Sequence, residues 1–482
     1  MTATAKDIAV IGLGVMGRSL ALNLRDHGAT VVASDPFEDV AAAARPLLES
    51  PDTSGVTPDI TSGITPGVTV VSRPAEALAL LSRPRKVLMM VKAGDPVDAL
   101  IDDLAPHLEA GDILIDGGNT HFRDTERRQA ELARRGVHLV GLGVSGGEDG
   151  ARFGPALMAG GNPDAVGAVT PLLSSIAAKA ADGAPCYAAF GPGGAGHFVK
   201  MAHNGIEYAL MQTLAEAYLL MDGPGGLTPA EMADHVRSWA AGPAASYLLE
   251  ITATVLDAID EATGRPLIEV IRDTAGHKGT GRWTIEAGLE LGVAVPGVAA
   301  AFLARALSAR RPCGMAPPHR LAEGTVAGLE RDIGAALPAA MLAAYAQGLA
   351  LIREAAASHG WGTDLAAVAR SWRGGCIIRA GLLEPIADAY RDDPGLLDLP
   401  AAPFAADLLA AAEAPLRRVV TTAVAHAVPV PALAAALAYL DGLRAPRLGA
   451  SLIQAQRDLF GAHTFERIDR AGSFHRDWPH HA

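Results

Sequence analysis

Along the first part of the chain, short apolar runs alternate with longer amphipathic ones. Ile8 to Leu13 is apolar and ends among glycines, and a helical period follows through Leu24. Val31 to Ser34, Lys86 to Val91, Ile113 to Asp116 and Val137 to Leu142 are further runs of strand length. Runs that are apolar at consecutive positions belong to strands covered on both faces. The pattern therefore predicts a parallel sheet flanked by helices. Near Gly191 to Gly196 this rhythm stops, and from there to about Leu443 almost every segment has helical period and is rich in Ala and Leu. We expect an α/β domain over 1–193, a large all-α domain over 194–445 and a tail over 446–482.

The most informative stretch starts the helical part. From His197 to Leu220 the sequence reads as one long helix, with Phe198, Val199, Met201, Ala202, Ile206, Ala209 and Leu210 covering most of its circumference. At about 100° per residue, Lys200, His203, Asn204 and Glu207 fall into one narrow stripe. The next positions on that stripe, Met211 and Leu214, are apolar, so it should not continue as a solvated face. Charges on a helix usually mark a wetted surface. An apolar collar around them, led in by Gly193-Gly194-Ala195-Gly196, favours a site instead. A partly desolvated Lys has a lowered pKa and serves as a general base, and a nearby carboxylic acid returns a proton.

The first strand runs into Gly12-Leu13-Gly14-Val15-Met16-Gly17, then a helix, a second strand and an acidic residue, Asp35. Glycines here let backbone N–H groups and a helix N-terminus approach a pyrophosphate, which is the Rossmann-type fingerprint of a dinucleotide-binding fold. A carboxylate at Asp35 accepts hydrogen bonds from the ribose hydroxyls of NAD and repels the 2′-phosphate of NADP. Pro36 and Phe37 follow, and the next basic residue is Arg45, so NAD is expected. Asp35 as a mere turn cap is the alternative. In a parallel sheet, ligands meet residues just past the carboxyl ends of strands. Val91-Lys92-Ala93, Asn119 and Ser145-Gly146-Gly147 hold such positions.

Two other stretches stand out. His277-Lys278-Gly279-Thr280-Gly281-Arg282-Trp283 reads as a loop of flexible backbone, hydroxyl and cations suited to phosphate. Pro51 to Gly67, rich in Pro, Gly, Ser and Thr, reads as an exposed loop. The segment from Ser451 to Trp478 is more polar and aromatic and looks like a tail without its own core, suited to docking on another subunit.

Composition narrows the classes. With 482 residues, 50% hydrophobic and 19% charged, the chain belongs with well-packed globular proteins of two or three domains. A net charge of −13 with no basic block argues against nucleic acid as a partner. Cys186, Cys313 and Cys376 are too scattered for a metal cluster or a disulfide framework, so no metal is expected and the residues suit a reducing cytoplasm. The N-terminus lacks a signal-peptide plan. Uncharged runs at Ile333 to Ile352 and Val419 to Leu440 read as buried helices, with no membrane expected.

Several motifs together resemble 6-phosphogluconate dehydrogenase. They are the glycine turn, Val91-Lys92-Ala93-Gly94, Asp116-Gly117-Gly118-Asn119, 143–152, Gly194 to Tyr208, 278–283, Trp372 to Arg379 and Gln454 to Thr464. The resemblance covers essentially the whole chain. It implies a cytoplasmic enzyme of the pentose phosphate pathway that converts 6-phosphogluconate to ribulose 5-phosphate and CO₂ while reducing NAD or NADP. By the resemblance, Lys200 is the general base and Glu207 the acid. Asn119, Ser145, Gly146, Gly147, His203 and Asn204 would hold the sugar acid, and Tyr208, Lys278, Thr280 and Arg305 its phosphate. Gly12, Gly14, Val15, Met16, Gly17, Asp35, Val91, Lys92, Ala93 and Asn119 would line the coenzyme. Arg457 and His463 are similar to residues that the family delivers from the tail of a second subunit, implying a homodimer with tail exchange.

Two departures bear on this. NADP-using members generally carry an Asn-Arg-Thr-like trio where this chain has Asp35-Pro36-Phe37, and Arg282 stands where Lys is common. Two other readings remain at this stage: a dehydrogenase of smaller β-hydroxy acids, and a dinucleotide-binding sensor without catalysis. The first would not need Lys278, Arg305 and Arg457 together, and the second would not need an acid and a base.

Overall fold

The computed structural model describes residues 5–50, 67–276, 279–310 and 315–478. Most of the Pro51 to Gly67 stretch, Lys278 and Cys313 lie outside the described residues. The chain forms two compact units, Met1–Ala436 and Leu437–Ala482.

Among the described residues the first unit opens with eight strands: β1 (Ile8–Ile11), β2 (Val31–Ser34), β3 (Val68–Val70), β4 (Lys86–Met89), β5 (Ile113–Asp116), β6 (His138–Ser145), β7 (Ala156–Gly161) and β8 (Tyr187–Ala189). They make one sheet in the order β3-β2-β1-β4-β5-β6-β7-β8. All neighbours are parallel except β6 and β7. Between them run α1 (Val15–Asp26), α2 (Glu38–Leu48), α3 (Pro74–Ala79), α4 (Asp95–Leu104), α5 (Phe122–Ala133), α6 (Gly147–Phe153) and α7 (Pro163–Ile176). Both faces of the sheet are covered, which is why the strands read as continuous apolar runs. In β1, Ile8 and Val10 enter one core with Leu20, Leu24 and Val169, while Ala9 and Ile11 enter the other with Leu100, Leu104 and Leu132.

From α8 (Ala195–Asp222) the unit is helical: α9 (Pro229–Ala240), α10 (Tyr247–Asp257), α11 (Leu267–Val270), α12 (Thr280–Leu291), α13 (Pro296–Ser308), α14 (Leu329–His359), α15 (Leu365–Ser371), α16 (Leu383–Asp392), α17 (Pro403–Ala425) and the start of α18 (Pro431–Arg444), whose remainder belongs to the second unit. α8 and α14 are its axis, packed along each other. Among the described residues α14 is the one helix long and apolar enough to cross a membrane, and 89% of its most apolar window is buried inside the protein. It is a core helix. The uncharged run from Val419 to Leu440 is two helices, broken between Ala425 and Pro431.

The structure departs from the sequence reading in several places: β1 and β4 stop at Ile11 and Met89, β3, β7 and β8 are additional strands, and the β6–β7 pair is antiparallel in a sheet expected to be parallel. β6 continues past Leu142 to Ser145, because its antiparallel ladder with β7 extends to the pair Ser145 and Ala156. Thr280 to Trp283 is not loop but the first turn of α12, entered through Gly279 at φ +97°.

The second unit holds α19 (Ala450–Gly461) and a short hairpin, β9 (Phe465–Glu466) with β10 (Ser473–Phe474). Its organiser is Asp458, fully buried, which accepts hydrogen bonds from the N–H groups of Thr464 and Arg476, from His475 Nδ1 and from Trp478 Nε1, at 2.8–3.1 Å. Burial alone would raise this carboxyl's pKa, and the four donors hold it far below the ordinary range instead.

Candidate active site

The coenzyme end is built at the carboxyl edge of β1. Gly12 has φ +101°, and a Cβ there would sit 2.6 Å from the carbonyl oxygen of Met90, so the turn admits only glycine. Gly14, the N-cap of α1, faces open space, and no side chain caps the helix. The first turn of α1 also lacks an acidic residue. Its N–H groups and positive dipole end are therefore available to a pyrophosphate. The residues fit a dinucleotide.

Asp35, at the end of β2, is buried and already engaged. Its Oδ2 accepts the N–H of Leu13 at 2.7 Å and its Oδ1 that of Phe37 at 2.9 Å. The carboxylate thus ties the glycine turn to the end of β2 and caps its own turn, and each oxygen keeps a second lone pair. Arg45 faces Glu49 at 3.6 Å, and Arg73, beyond β3, pairs with Glu76 at 2.8 Å. Phe37 is exposed.

A row of polar side chains is built on α8. Lys200 and Asn204 are buried, His203 is fully enclosed and Glu207 is partly covered. They lie against β6 because Gly143 has no side chain: a Cβ there would come within 2.5 Å of the Cβ of Lys200. His203 places Nε2 3.2 Å from Ser145 Oγ and Nδ1 3.1 Å from Asn204 Oδ1. Burial first, and then the charge of Lys200, push the His203 pKa well below its ordinary value, so the ring is neutral. Burial likewise lowers the Lys200 pKa, against the pull of the Glu207 carboxylate and Cys376. For Glu207 burial raises the pKa, against Lys200 and Arg305. Amine and carboxyl are both biased toward their neutral forms, which are the forms of a working base and a working acid.

Behind this row stands a layer whose role was not legible in the sequence. Trp372 is fully buried and meets the His203 ring edge-on, with centroids 5.7 Å apart. Cys376 donates to the Trp372 carbonyl at 3.1 Å, and burial pushes its thiol up to about 12. The same segment closes on the turn after β6, where a Cβ on Gly146 would strike the carbonyl oxygen of Gly375. Across the site, Asn119 is exposed on the turn after β5. That turn is held by Asp116, which accepts from the Gly118 N–H at 3.0 Å and from Thr120 Oγ1 at 2.8 Å. The buried His197 ring bridges the Asp116 carbonyl and Thr125 Oγ1. A His between a backbone carbonyl and a hydroxyl carries no local sequence signal.

A third group gathers beyond Glu207. The Arg305 guanidinium lies 3.6 Å over the Tyr208 ring, and the Tyr208 ring packs on Gly281. Thr280 is buried at the uncapped start of α12, which Thr284 fastens to α8 through the Met201 carbonyl at 2.9 Å. Met211 is 42% exposed, not covered as its place on the stripe suggested, and its sulfur lies 3.6 Å from Arg305 Nη2. Apolar character there serves a cation's flank and not a core. Arg457 and His463 lie in the second unit, where Arg457 donates to Gln454 Oε1 at 3.1 Å.

A dinucleotide-binding sheet with a buried amine, imidazole and amide and a partly covered carboxyl defines an oxidoreductase that works with a nicotinamide coenzyme. Comparison with known proteins gives the particular family. Residues 7–191 match the NAD binding domain of 6-phosphogluconate dehydrogenase, and residues 196–478 match the C-terminal domain of 6-phosphogluconate dehydrogenase. The chain is 43% identical to 6-phosphogluconate dehydrogenase, decarboxylating 2, of Saccharomyces cerevisiae, covering 98% of this chain and 95% of that one. It is 42% identical to the NADP(+)-dependent, decarboxylating enzyme of Bacillus subtilis, covering 98% and 99%. The 6-phosphogluconate dehydrogenase of Plasmodium falciparum, solved apo, with NADP+ and with 6-phosphogluconate, superposes with a TM-score of 0.88 at 34% identity over 98% of this chain and all of that one. The chain belongs to the 6-phosphogluconate dehydrogenase family, decarboxylating oxidoreductases acting on a CH–OH group.

Proposed function

We propose that the chain oxidises 6-phosphogluconate at C3 and releases CO₂ to give ribulose 5-phosphate, with Lys200 as base, Glu207 as acid and NAD as the preferred coenzyme. The observation that carries the chemistry is the pairing on α8 of an amine and a carboxyl that burial drives toward their neutral forms. The coenzyme, when bound, accepts hydride. Lys200 takes the C3 hydroxyl proton as the C3 hydrogen leaves with its electron pair, leaving a ketone β to the carboxylate. The C1–C2 bond then breaks, CO₂ departs, and Lys200 returns its proton to the ketone oxygen, giving an enediol. Glu207 protonates the carbon that becomes C1 of the product while Lys200 removes the hydroxyl proton, and a proton passing back to Glu207 resets the pair.

In this reading Asn119, Ser145, Gly146, Gly147, His203 and Asn204 hold the sugar acid. Tyr208, Lys278, Thr280 and Arg305 hold its phosphate, joined by Arg457 and His463 from the tail of a second copy. Exposed leucines on α12 and α13, Leu289, Leu303 and Leu307, support such a partner. The proposed division is a coenzyme domain to 193, a helical domain to 445 and an exchanged tail. Relatives named or solved with NADP belong to a family whose NADP users generally carry an Asn-Arg-Thr-like trio. This chain has Asp35-Pro36-Phe37, and a buried carboxylate repels a 2′-phosphate.

Initial rates with 6-phosphogluconate, run with NAD and with NADP, test the reading. We expect a higher kcat/KM with NAD, and Asp35→Asn with Pro36→Arg should move the ratio toward NADP by about tenfold or more. An unchanged ratio removes Asp35 from coenzyme choice.

A further inference from the structure

Glu216 lies on the same helix as Lys200 and Glu207, past the residues the proposed chemistry uses. It is fully buried. Its Oε1 accepts the N–H of Ala432 at 2.8 Å and its Oε2 that of Leu433 at 2.8 Å, while Gln212 Nε2 donates to Oε1 at 3.1 Å. Ala432 and Leu433 form the first turn of α18, whose N–H groups have no acceptor within the helix. The usual source of a cap is the residue just before the helix. Here those residues are Val428-Pro429-Val430, which carry no side-chain oxygen. The cap comes instead from α8, and it is a carboxylate, the group that a helix N-terminus holds best. Burial works against it, raising this carboxyl from 4.5 to about 7 while the three donors pull it back. A buried ionisable group in a position that an apolar side chain and a local cap could fill calls for a role. The two elements it joins suggest one: α8 carries the base and acid, and the chain runs on from α18 into the segment with Arg457 and His463.

We propose that Glu216 is a positioning residue, pinning the start of α18 to the catalytic helix and so fixing the departure of the segment that brings Arg457 and His463 to the substrate phosphate. The proposal rests on the reading of the tail given above. Loosening the pin lowers the fraction of time those side chains are in place, which weakens binding of the phosphorylated substrate and leaves the coenzyme unaffected.

The test is a double-mutant cycle on the full-length protein with Glu216→Gln and Arg457→Ala. Gln keeps the shape but turns an NH₂ toward a backbone N–H. We expect Glu216→Gln to raise KM for 6-phosphogluconate by about fivefold or more, with KM for the coenzyme changed less than about twofold, and the increase to vanish when Arg457→Ala is already present. If Arg457→Ala alone leaves KM for the sugar phosphate unchanged, the tail reading fails and the proposal with it. If Arg457→Ala raises KM but Glu216→Gln does not, or their effects multiply independently, the tail reading stands and the pin is overturned. Should Glu216→Gln not fold, Glu216→Asp, which withdraws the carboxylate by one methylene, is read in the same cycle.

Discussion

Lys200 and Glu207 are about two helical turns apart on one face of α8, and what distinguishes them from an ordinary surface pair is desolvation. A neutral amine requires pH above the Lys200 pKa, and burial moves that limit down. A protonated carboxyl requires pH below the Glu207 pKa, and burial moves that limit up. The kcat profile should therefore fall on the acid side as Lys200 protonates and on the alkaline side as Glu207 ionises. Lys200→Met should lower kcat by about 10³-fold or more and Glu207→Gln by about 10²-fold or more, with KM for 6-phosphogluconate changed far less. Glu207→Gln should also lose the alkaline limb, because an amide does not ionise. Near-normal turnover in either variant would remove that residue from its role. The stripe itself was legible, because an apolar collar sets four polar residues at helical spacing apart from a wetted face. The neutrality of His203 was not, because it depends on the burial and charge that α8, β6 and Trp372 create together.

At the scale of elements, the proposed catalytic row is placed by how closely a helix can approach a strand. β6 meets α8 at Gly143, where the missing side chain leaves room for Lys200. Gly143→Ala should cost about 1–3 kcal/mol in stability, as overpacking does, and should lower kcat by up to about 10²-fold through displacement of the amine. Thermal unfolding and kcat measured on the same preparation check this. A loss of stability with full kcat would show that the helix shifts without disturbing the site. Strands β1, β2, β4, β5 and most of β6 were readable from their runs, since coverage on both faces makes apolar residues consecutive, whereas β3, β7 and β8 were not. The end of β6 and the start of α12 were not, because a ladder with β7 and a positive-φ entry at Gly279 set them.

At the scale of the whole molecule, the proposed exchange of tails makes each site the joint product of two chains. Arg457→Ala homodimers should bind the sugar phosphate poorly and Lys200→Met homodimers should not turn over. A mixture refolded together should recover about a quarter of wild-type activity, since half the dimers are hybrids and each hybrid joins one intact Lys200 to one intact tail. Activity no greater than the mean of the two parents would mean that each tail serves its own chain.

The sequence by itself determined most of the elements and the polar groups gathered on α8. Apolar period, glycine spacing and the stripe on α8 are local properties, set by backbone geometry and the need to bury apolar surface. Only the tertiary structure decided how that chemistry is tuned. Asp35 is already bound to the glycine turn, Trp372 backs the imidazole, and Glu216 caps a helix 216 positions away. Each of these depends on groups distant in the chain being brought out of water beside one another, and desolvation and charge act through space, along no period that a sequence displays.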